Sequence, residues 1–292
     1  MKYRDPSLVS PDPQKKRAIL MEALSYIQQF KGQTIVIKYG GAAMVKEDCK
    51  ESFAQDVSLL ASLGLRPVVV HGGGPEISKA ITSFGVEPKF IDGLRVTDLQ
   101  SLKISEMVLS GQVNKEIVTG LNRAGGLAVG LSGKDGRMIE ASKLQHPGHD
   151  LGYVGQIDSV RPSLINSLLD DGYIPVISPM GMSHEGESYN INADTAASHI
   201  AGALKAYKVI FLTDVKGVMD GDKQISQLNK ADVLNLIDTG VIAGGMIPKV
   251  EGMLFALEQG VGSAHIIGGM DMHAVIGELF TDLGNGTMIT LE

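Results

Sequence analysis

The chain has 292 residues, 43% of them hydrophobic and 20% charged, with a formal net charge of −7 and one cysteine, Cys49. That length suits either one large α/β domain or two lobes with a sizeable core. The acidic balance argues against nonspecific nucleic-acid binding, which needs a basic face. A lone cysteine excludes an internal disulfide framework and fits a reducing cytoplasm. No apolar run approaches the ~20 residues of a membrane span, and the polar N-terminal stretch has no signal-peptide core, so export is not expected.

Ser10-Pro11-Asp12-Pro13 reads as a stop-and-start signal, with Asp12 as N-cap and Pro13 at the first helical position. Ile19, Leu20, Ala23, Leu24, Ile27 and Phe30 then recur at helical spacing, and Gly32 closes the segment. This helix precedes the first strand and is an addition to the α/β body. Its apolar stripe suits its own core and another subunit equally well.

The stretch Gln33–Ala43 organises the rest of the chain. Thr34–Ile37 is a β-branched, uncharged run, the pattern of a strand buried on both faces. Lys38 stands at its carboxyl end, where open α/β sheets bind ligands, and Gly40-Gly41 let backbone N–H groups approach an anion. Phe53, Val57 and Leu60 mark a helix ending at Gly64. Pro67–Val70 is a second buried strand, running into His71-Gly72-Gly73-Gly74-Pro75 and a helix from Glu76. The third glycine of a dinucleotide fingerprint is missing, and no Walker loop occurs anywhere. His71 is read as structural rather than as a base.

In Gly93-Leu94-Arg95-Val96-Thr97-Asp98, Thr97 with Gln100 reads as a capping box, which puts Arg95 ahead of a helix N-terminus and ready to fork onto a carboxylate. Helical patterns continue to about Arg123 and stop at Gly125-Gly126. Residues 133–160 read as short strands and hairpins, with His146 and His149 as loop residues, since nothing completes a zinc set. Pro162–Asp171 reads as a helix and Tyr173–Ser178 as a strand. In Tyr189–Ala197 the polar residues Asn190, Asn192 and Asp194 alternate, so in extended chain they share one side and ask for a ligand. Val209–Leu212 is another buried strand ending at Thr213-Asp214, with Gly217 beyond. Asp232–Asp238 is helical, and Gly244-Gly245-Met246-Ile247-Pro248-Lys249 opens a long helix. Strands at Ala264–Ile267 and Thr287–Leu291 flank a last helix. The alternation implies a largely parallel sheet covered on both faces.

The stretches IVIKYGG, VVVHGGGP, GLRVTD, YNINADTAA, LTDVKGV and GGMIPKVE, in this order and across essentially the whole chain, resemble the amino-acid kinase superfamily, and within it the acetylglutamate kinases. The resemblance implies an α/β fold, a three-layer αβα sandwich around a mainly parallel sheet. It divides the chain into an extension over 1–32, an acetylglutamate-binding N-lobe over 33–180 and an ATP-binding C-lobe over 181–292, on one continuous sheet. It implies ATP-dependent phosphorylation of the side-chain carboxylate of N-acetyl-L-glutamate, in the cytoplasm, with Mg²⁺ bound through the phosphates. Lys38, Lys249 and Asp194 take the catalytic positions, and Gly73, Gly74, Arg95 and Asn190 hold acetylglutamate. Gly40, Gly41, Thr213, Asp214, Gly217, Val218, Gly244, Gly245 and Met246 fall to the nucleotide. The N-terminal extension resembles the arginine-inhibited branch, which implies a hexamer built as a trimer of dimers, with Tyr26, Lys208 and Glu278 at an arginine site.

Phosphoryl transfer asks for positioning and charge neutralisation rather than a general base, because the attacking carboxylate is ionised at neutral pH. A sister kinase acting on carbamate, aspartate, glutamate or a nucleoside monophosphate would share the glycine turns; Arg95 and the NINAD stretch favour acetylglutamate. A non-catalytic nucleotide-binding regulator would not need both lysines and Asp194. A dinucleotide-dependent oxidoreductase is disfavoured by the incomplete fingerprint.

Overall fold

The computed structural model describes residues 12–282 and 284–292, so Ser10 and Pro11 of the N-terminal turn lie outside the described residues. Helix α1 (Pro13–Phe30) stands ahead of the sheet; the Asp12 carboxylate accepts from the Gln14 N–H and Pro13 occupies the first turn. Strands and helices then alternate: β1 (Thr34–Tyr39), α2 (Glu47–Ser62), β2 (Arg66–His71) and α3 (Gly74–Ser83). A hairpin of β3 (Phe90–Ile91) and β4 (Leu94–Arg95) leads to α4 (Leu99–Glu106), which continues through a π-helical segment, Met107–Val113, into α5 (Asn114–Arg123). Next come β5 (Ala128–Ser132), β6 (Ile139–Lys143), β7 (Gly155–Val160), α6 (Ser163–Asp170), β8 (Ile174–Ser178), β9 (Met180–Met182) and β10 (Ser188–Asn190). After them stand α7 (Ala193–Ala203), β11 (Lys208–Thr213), the ribbon β12 (Met219–Asp220) and β13 (Lys223–Gln224), and β14 (Gln227–Asn229). The last elements are α8 (Lys230–Asp238), α9 (Ile247–Glu258), β15 (Ser263–Gly268), α10 (Ala274–Phe280) and β16 (Thr287–Thr290).

Eight strands form the central sheet in the order β14-β16-β15-β11-β1-β2-β8-β5, parallel throughout except where β16 runs against β15. A parallel sheet has to be covered on both faces, and the strand residues divide accordingly. Ile35, Ile37, Val69, Ile210 and Leu212 pack with Phe53 and Val57 of α2, Leu121 of α5 and Phe280 of α10. Val36, Val68, Val70, Val209 and Phe211 pack instead with Ile165 of α6, Ile200 of α7, Val233 of α8 and Leu257 of α9. This is the layered α/β arrangement expected from the alternation. A four-stranded sheet, β10-β9-β6-β7, adds Ile139, Ala141 and Tyr189 to the second cluster.

Two local readings change. The helix after Arg95 is capped by Asp98, whose Oδ1 accepts from the Ser101 N–H at 2.7 Å, while Thr97 Oγ1 donates to the Arg95 carbonyl at 2.9 Å. An Asp cap outranks the Thr one residue earlier because its carboxylate reaches the N3 amide. Nor do Asn190, Asn192 and Asp194 share an extended segment. Helix α7 begins at Ala193, so Asn192 is its N-cap and spends its side-chain oxygen on the Asp194 and Thr195 N–H groups.

The topology places the site. From β1 the chain goes through α2 to β2 on one side, while β11 pairs with β1 on the other. A crevice outside the carboxyl ends of the strands opens where the winding reverses in this way.

Candidate active site

Lys38 is the next-to-last residue of β1 and is 8% exposed. Its Nζ lies 3.0 Å from Asp194 Oδ1, in the first turn of α7. Lys249, in the first turn of α9, donates from Nζ to the other oxygen of that carboxylate at 2.5 Å. One buried carboxylate thus joins ammonium groups from a strand and a helix far apart in sequence. Burial works against ionisation of Asp194, but the two ammonium groups outweigh it and hold the carboxyl below its ordinary range. A Cβ on Gly40 would lie 2.7 Å from Lys38 Nζ, so a larger residue there would push the ammonium group from its place on Asp194. At Gly41, φ is +68° and a Cβ would run into the Asp214 carboxylate, so the turn after β1 sits against the turn after β11.

The second glycine turn leads from β2 into α3. A Cβ on Gly73 would come 2.8 Å from Leu109 Cδ2 in the π-helical segment, so the loop lies close against that helix. Arg95 is 8% exposed, stacks its guanidinium 4.6 Å from the Phe90 ring centre, and donates from Nη2 to the Gly74 carbonyl at 2.9 Å and Ser78 Oγ at 2.8 Å. Its Nη1 is buried and has no partner among the described residues. A buried charged donor left unpaired calls for an acceptor from outside the chain. Burial pushes the guanidinium's pKa down, and it stays charged at neutral pH.

These groups line a cavity of about 240 Å³ that takes in Lys38, Gly40, Gly41, Gly73, Gly74, Arg95, Asn190 and Asp194, with Asn192 at its wall. Asn190 Nδ2 stands 3.5 Å from Thr97 Oγ1. Lys249 reaches this cavity through Asp194. The segments expected to hold nucleotide lie beyond it. Thr213 Oγ1 donates to the Val215 carbonyl at 2.8 Å, the Val218 N–H donates to Thr287 Oγ1 at 2.8 Å, and Gly244, at φ +55°, starts the turn Gly244–Met246 before α9. Gly217 faces Thr287, where a Cβ would come 2.5 Å from Oγ1. No group of three or more His, Cys, Asp or Glu is placed to hold a metal among the described residues. His146 faces Asp92 at 3.1 Å in an exposed loop, in line with its reading as a loop residue.

Lys208 and Glu278 come together through His265, which no local sequence signal marks. Lys208 Nζ lies 3.1 Å from His265 Nε2 and 3.2 Å from Ser263 Oγ, and His265 Nδ1 lies 2.6 Å from Glu278 Oε1. Ser263 and His265 alternate on β15 beside β11, so strand pairing, invisible in one sequence, makes the cluster. Tyr26 is on α1, donating to Asp282 Oδ1 at 2.7 Å.

Residues 33–268 match the amino acid kinase family. Acetylglutamate kinase of Desulfitobacterium hafniense is 54% identical over 286 residues, spanning 94% of this chain and 96% of that one. That of Aquifex aeolicus is 51% identical over 293 residues, 95% of this chain and 98% of the other. The chain belongs to the acetylglutamate kinase family. Among solved structures, N-acetylglutamate synthase of Neisseria gonorrhoeae, complexed with coenzyme A and N-acetyl-glutamate, superimposes with a TM-score of 0.85 at 28% identity, over 94% of this acetylglutamate kinase family member and 63% of the synthase. Carbamate kinase of Giardia lamblia bound to AMP-PNP, at 17% identity and a TM-score of 0.65 over 89% of this chain and 99% of its own, shares the fold.

Proposed function

We propose that the chain transfers the terminal phosphoryl group of ATP to the side-chain carboxylate of N-acetyl-L-glutamate, giving N-acetyl-L-glutamyl phosphate and ADP, the kinase step of arginine biosynthesis. The observation that carries this is the pairing of Lys38 and Lys249 on one Asp194 carboxylate beside a buried, unpartnered Arg95 Nη1. A carboxylate attacking a polyphosphate brings like charges together. Two ammonium groups fixed at the meeting point offset that repulsion, and most where charge spreads over the transferring group. Asp194 holds both in place. Arg95 with Asn190 seats the acceptor, and the Gly73 and Gly74 amides face the reacting oxygens. No side chain has to remove a proton, because the nucleophile is already ionised.

The acceptor belongs to residues 33–180 and the nucleotide to residues 181–292, with Gly40 and Gly41 shared. The nucleotide runs along Thr213, Asp214, Gly217 and Val218 and along Gly244, Gly245 and Met246. Mg²⁺ enters as part of the Mg-ATP substrate, bound through the phosphates. The enzyme works in the cytoplasm; no helix is long and apolar enough to cross a membrane among the described residues.

Arginine acts as feedback inhibitor at Tyr26, Lys208 and Glu278, where Lys208 and Glu278 offer opposite charges to an amino acid's two ends. The related fold of the Neisseria synthase, solved with L-arginine, supports this reading. Helix α1 exposes Ile19, Leu20, Met21 and Leu24, at 63%, 61%, 62% and 49%. That stripe pairs with its copy on a neighbouring dimer to build the hexamer. A coupled ADP-release assay with N-acetyl-L-glutamate, glutamate and carbamate decides the substrate. Turnover fastest with acetylglutamate is expected; preference for either competitor would replace this reading.

A further inference from the structure

We propose that His71 is a positioning residue for this reaction, acting with Asn114 to fix the Gly72 carbonyl and so to aim the Gly73 amide into the crevice; the role of that amide rests on the function just proposed. His71 ends β2 and is fully buried, 0% exposed. It does not line the cavity, so it cannot touch the acceptor or the phosphate. Both of its ring nitrogens are engaged. Nδ1 lies 2.8 Å from the Gly72 carbonyl and Nε2 lies 3.2 Å from Asn114 Nδ2.

Chemistry fixes the direction of each bond. A carbonyl only accepts, so Nδ1 carries the hydrogen and Nε2 presents its lone pair. The Asn114 amide is equally constrained. Its Nδ2 lies 2.9 Å from the Val176 carbonyl and 3.3 Å from the Leu131 carbonyl, both acceptors, which requires the NH₂ at that end; its two hydrogens serve these and His71 Nε2, so one of them is shared between two acceptors. Its Oδ1 accepts from Lys115 Nζ at 3.0 Å. A chain of donors therefore runs from Lys115 through Asn114 and His71 to the Gly72 carbonyl, tying the glycine turn to β5 and β8. Protonating Nε2 would set a donor against a donor. Burial, first of all, pushes the imidazole down to about 4, with Lys115 adding to it and the Gly72 bond opposing, so the ring stays neutral at physiological pH.

This arrangement answers a specific problem. Gly72 and Gly73 have no side chains to hold them, and a peptide plane free to rotate would swing its N–H away from the reacting oxygens. Anchoring the Gly72 carbonyl sets the orientation of the Gly72–Gly73 peptide, hence of the Gly73 N–H. Misplacing reacting groups by about 1 Å can cost on the order of 10²-fold in rate. Asn114 is the first residue after the π-helical segment, a kind of helix irregularity frequent at functional sites.

The experiment compares His71→Leu, which removes both bonds, with His71→Asn, whose amide N–H can stand where Nδ1–H stood. In the full chain, His71→Leu is expected to lower kcat about 30-fold or more while KM for ATP stays within about twofold, and His71→Asn to recover most of the loss. His71→Leu that folds and keeps kcat within about threefold, or His71→Asn no better than it, overturns the proposal. Should His71→Leu fail to fold, Asn114→Ser decides instead: an unchanged kcat overturns the proposal and a fall in kcat at constant KM for ATP supports it. ¹⁵N-histidine NMR of the wild-type chain reads the tautomer independently of substrate. The neutral Nδ1–H form between pH 6 and 8 is expected, and an Nε2–H or protonated ring overturns the bond chain even if the acceptor were a different carboxylate. Wild-type protein without turnover on acetylglutamate would instead overturn the function reading.

Discussion

Lys38 and Lys249 share one counter-ion, and that shapes what each does. With both ammonium groups on Asp194, neither is free to wander, and the crevice keeps a net positive character. Lys38→Met or Lys249→Met is expected to lower kcat by roughly 10²-fold or more, the scale of losing one preorganised donor, while circular dichroism and the melting midpoint show the fold intact. Near wild-type kcat in either variant would remove that lysine from the transition state. His71 gives a pH signature. Its folded pKa, about 4, lies below its ordinary value of 6.5. The unfolded chain thus binds the extra proton first, and the stability this ring contributes is complete above pH 6.5 and lost as pH falls toward 4. His199 and His265, also depressed by burial, act in the same direction. The unfolding midpoint in urea should therefore drop on acidification through that window, and less steeply in His71→Asn; equal slopes would mean that His71 is not buried neutral. At this scale Lys38, the glycine turns and Arg95 could be read from local sequence, since each announces itself at a strand end. The partnership of His71 with Asn114, and the insertion of His265 between Lys208 and Glu278, could not. Both depend on which strands and helices become neighbours.

Among the elements, the strands were legible because a two-sided buried strand is a plain run of β-branched residues, as in Ile35-Val36-Ile37 and Val68-Val69-Val70. Helix ends were less so. Thr97 and Asp98 both look like caps in sequence, and only the carboxylate's reach to Ser101 decides between them. The π-helical segment left no trace in the periodicity, since one extra residue per turn shifts the apolar pattern by less than a face. Helix α1 was legible as a helix but not in its docking: Phe30 is buried against Tyr207 and Phe280, whereas Leu20 and Leu24 face outward. One end of α1 is thus bound to its own chain and the stripe before it is uncovered. If α1 builds the proposed hexamer and arginine site, deleting residues 1–30 should give an active dimer that no longer responds to arginine, checked by light scattering and an arginine titration. A truncated chain that stayed hexameric, or was inhibited as before, would assign the stripe to some other use.

Across the whole molecule, the proposed division into an acceptor half and a nucleotide half crosses an unbroken sheet. Strand β1 pairs with β2 on one side and with β11 on the other, and Val36 and Val68 pack among residues of α7, α8 and α9. Removing residues 181–292 would strip β1 of a hydrogen-bonding partner and uncover apolar surface from end to end. Calorimetry of the full chain should accordingly record one cooperative transition, with calorimetric and van't Hoff enthalpies in agreement. Two separate transitions would mean that the halves are independent bodies.

The same pairing sets an order of events during synthesis. Lys38, Arg95, Asn190 and Asp194 all precede β11 in the chain, and β11 has to slot in beside a strand made long before it. Non-local pairing of this kind is slow, because a long loop must close before any contact rewards it. Lys249 arrives later still, and until it does Asp194 has one lysine rather than two. On the proposed mechanism, a nascent chain in this state lacks one of the two ammonium groups that offset the repulsion between polyphosphate and carboxylate. Full phosphoryl transfer on that mechanism is therefore expected only once the sheet has closed and α9 has brought Lys249 to Asp194.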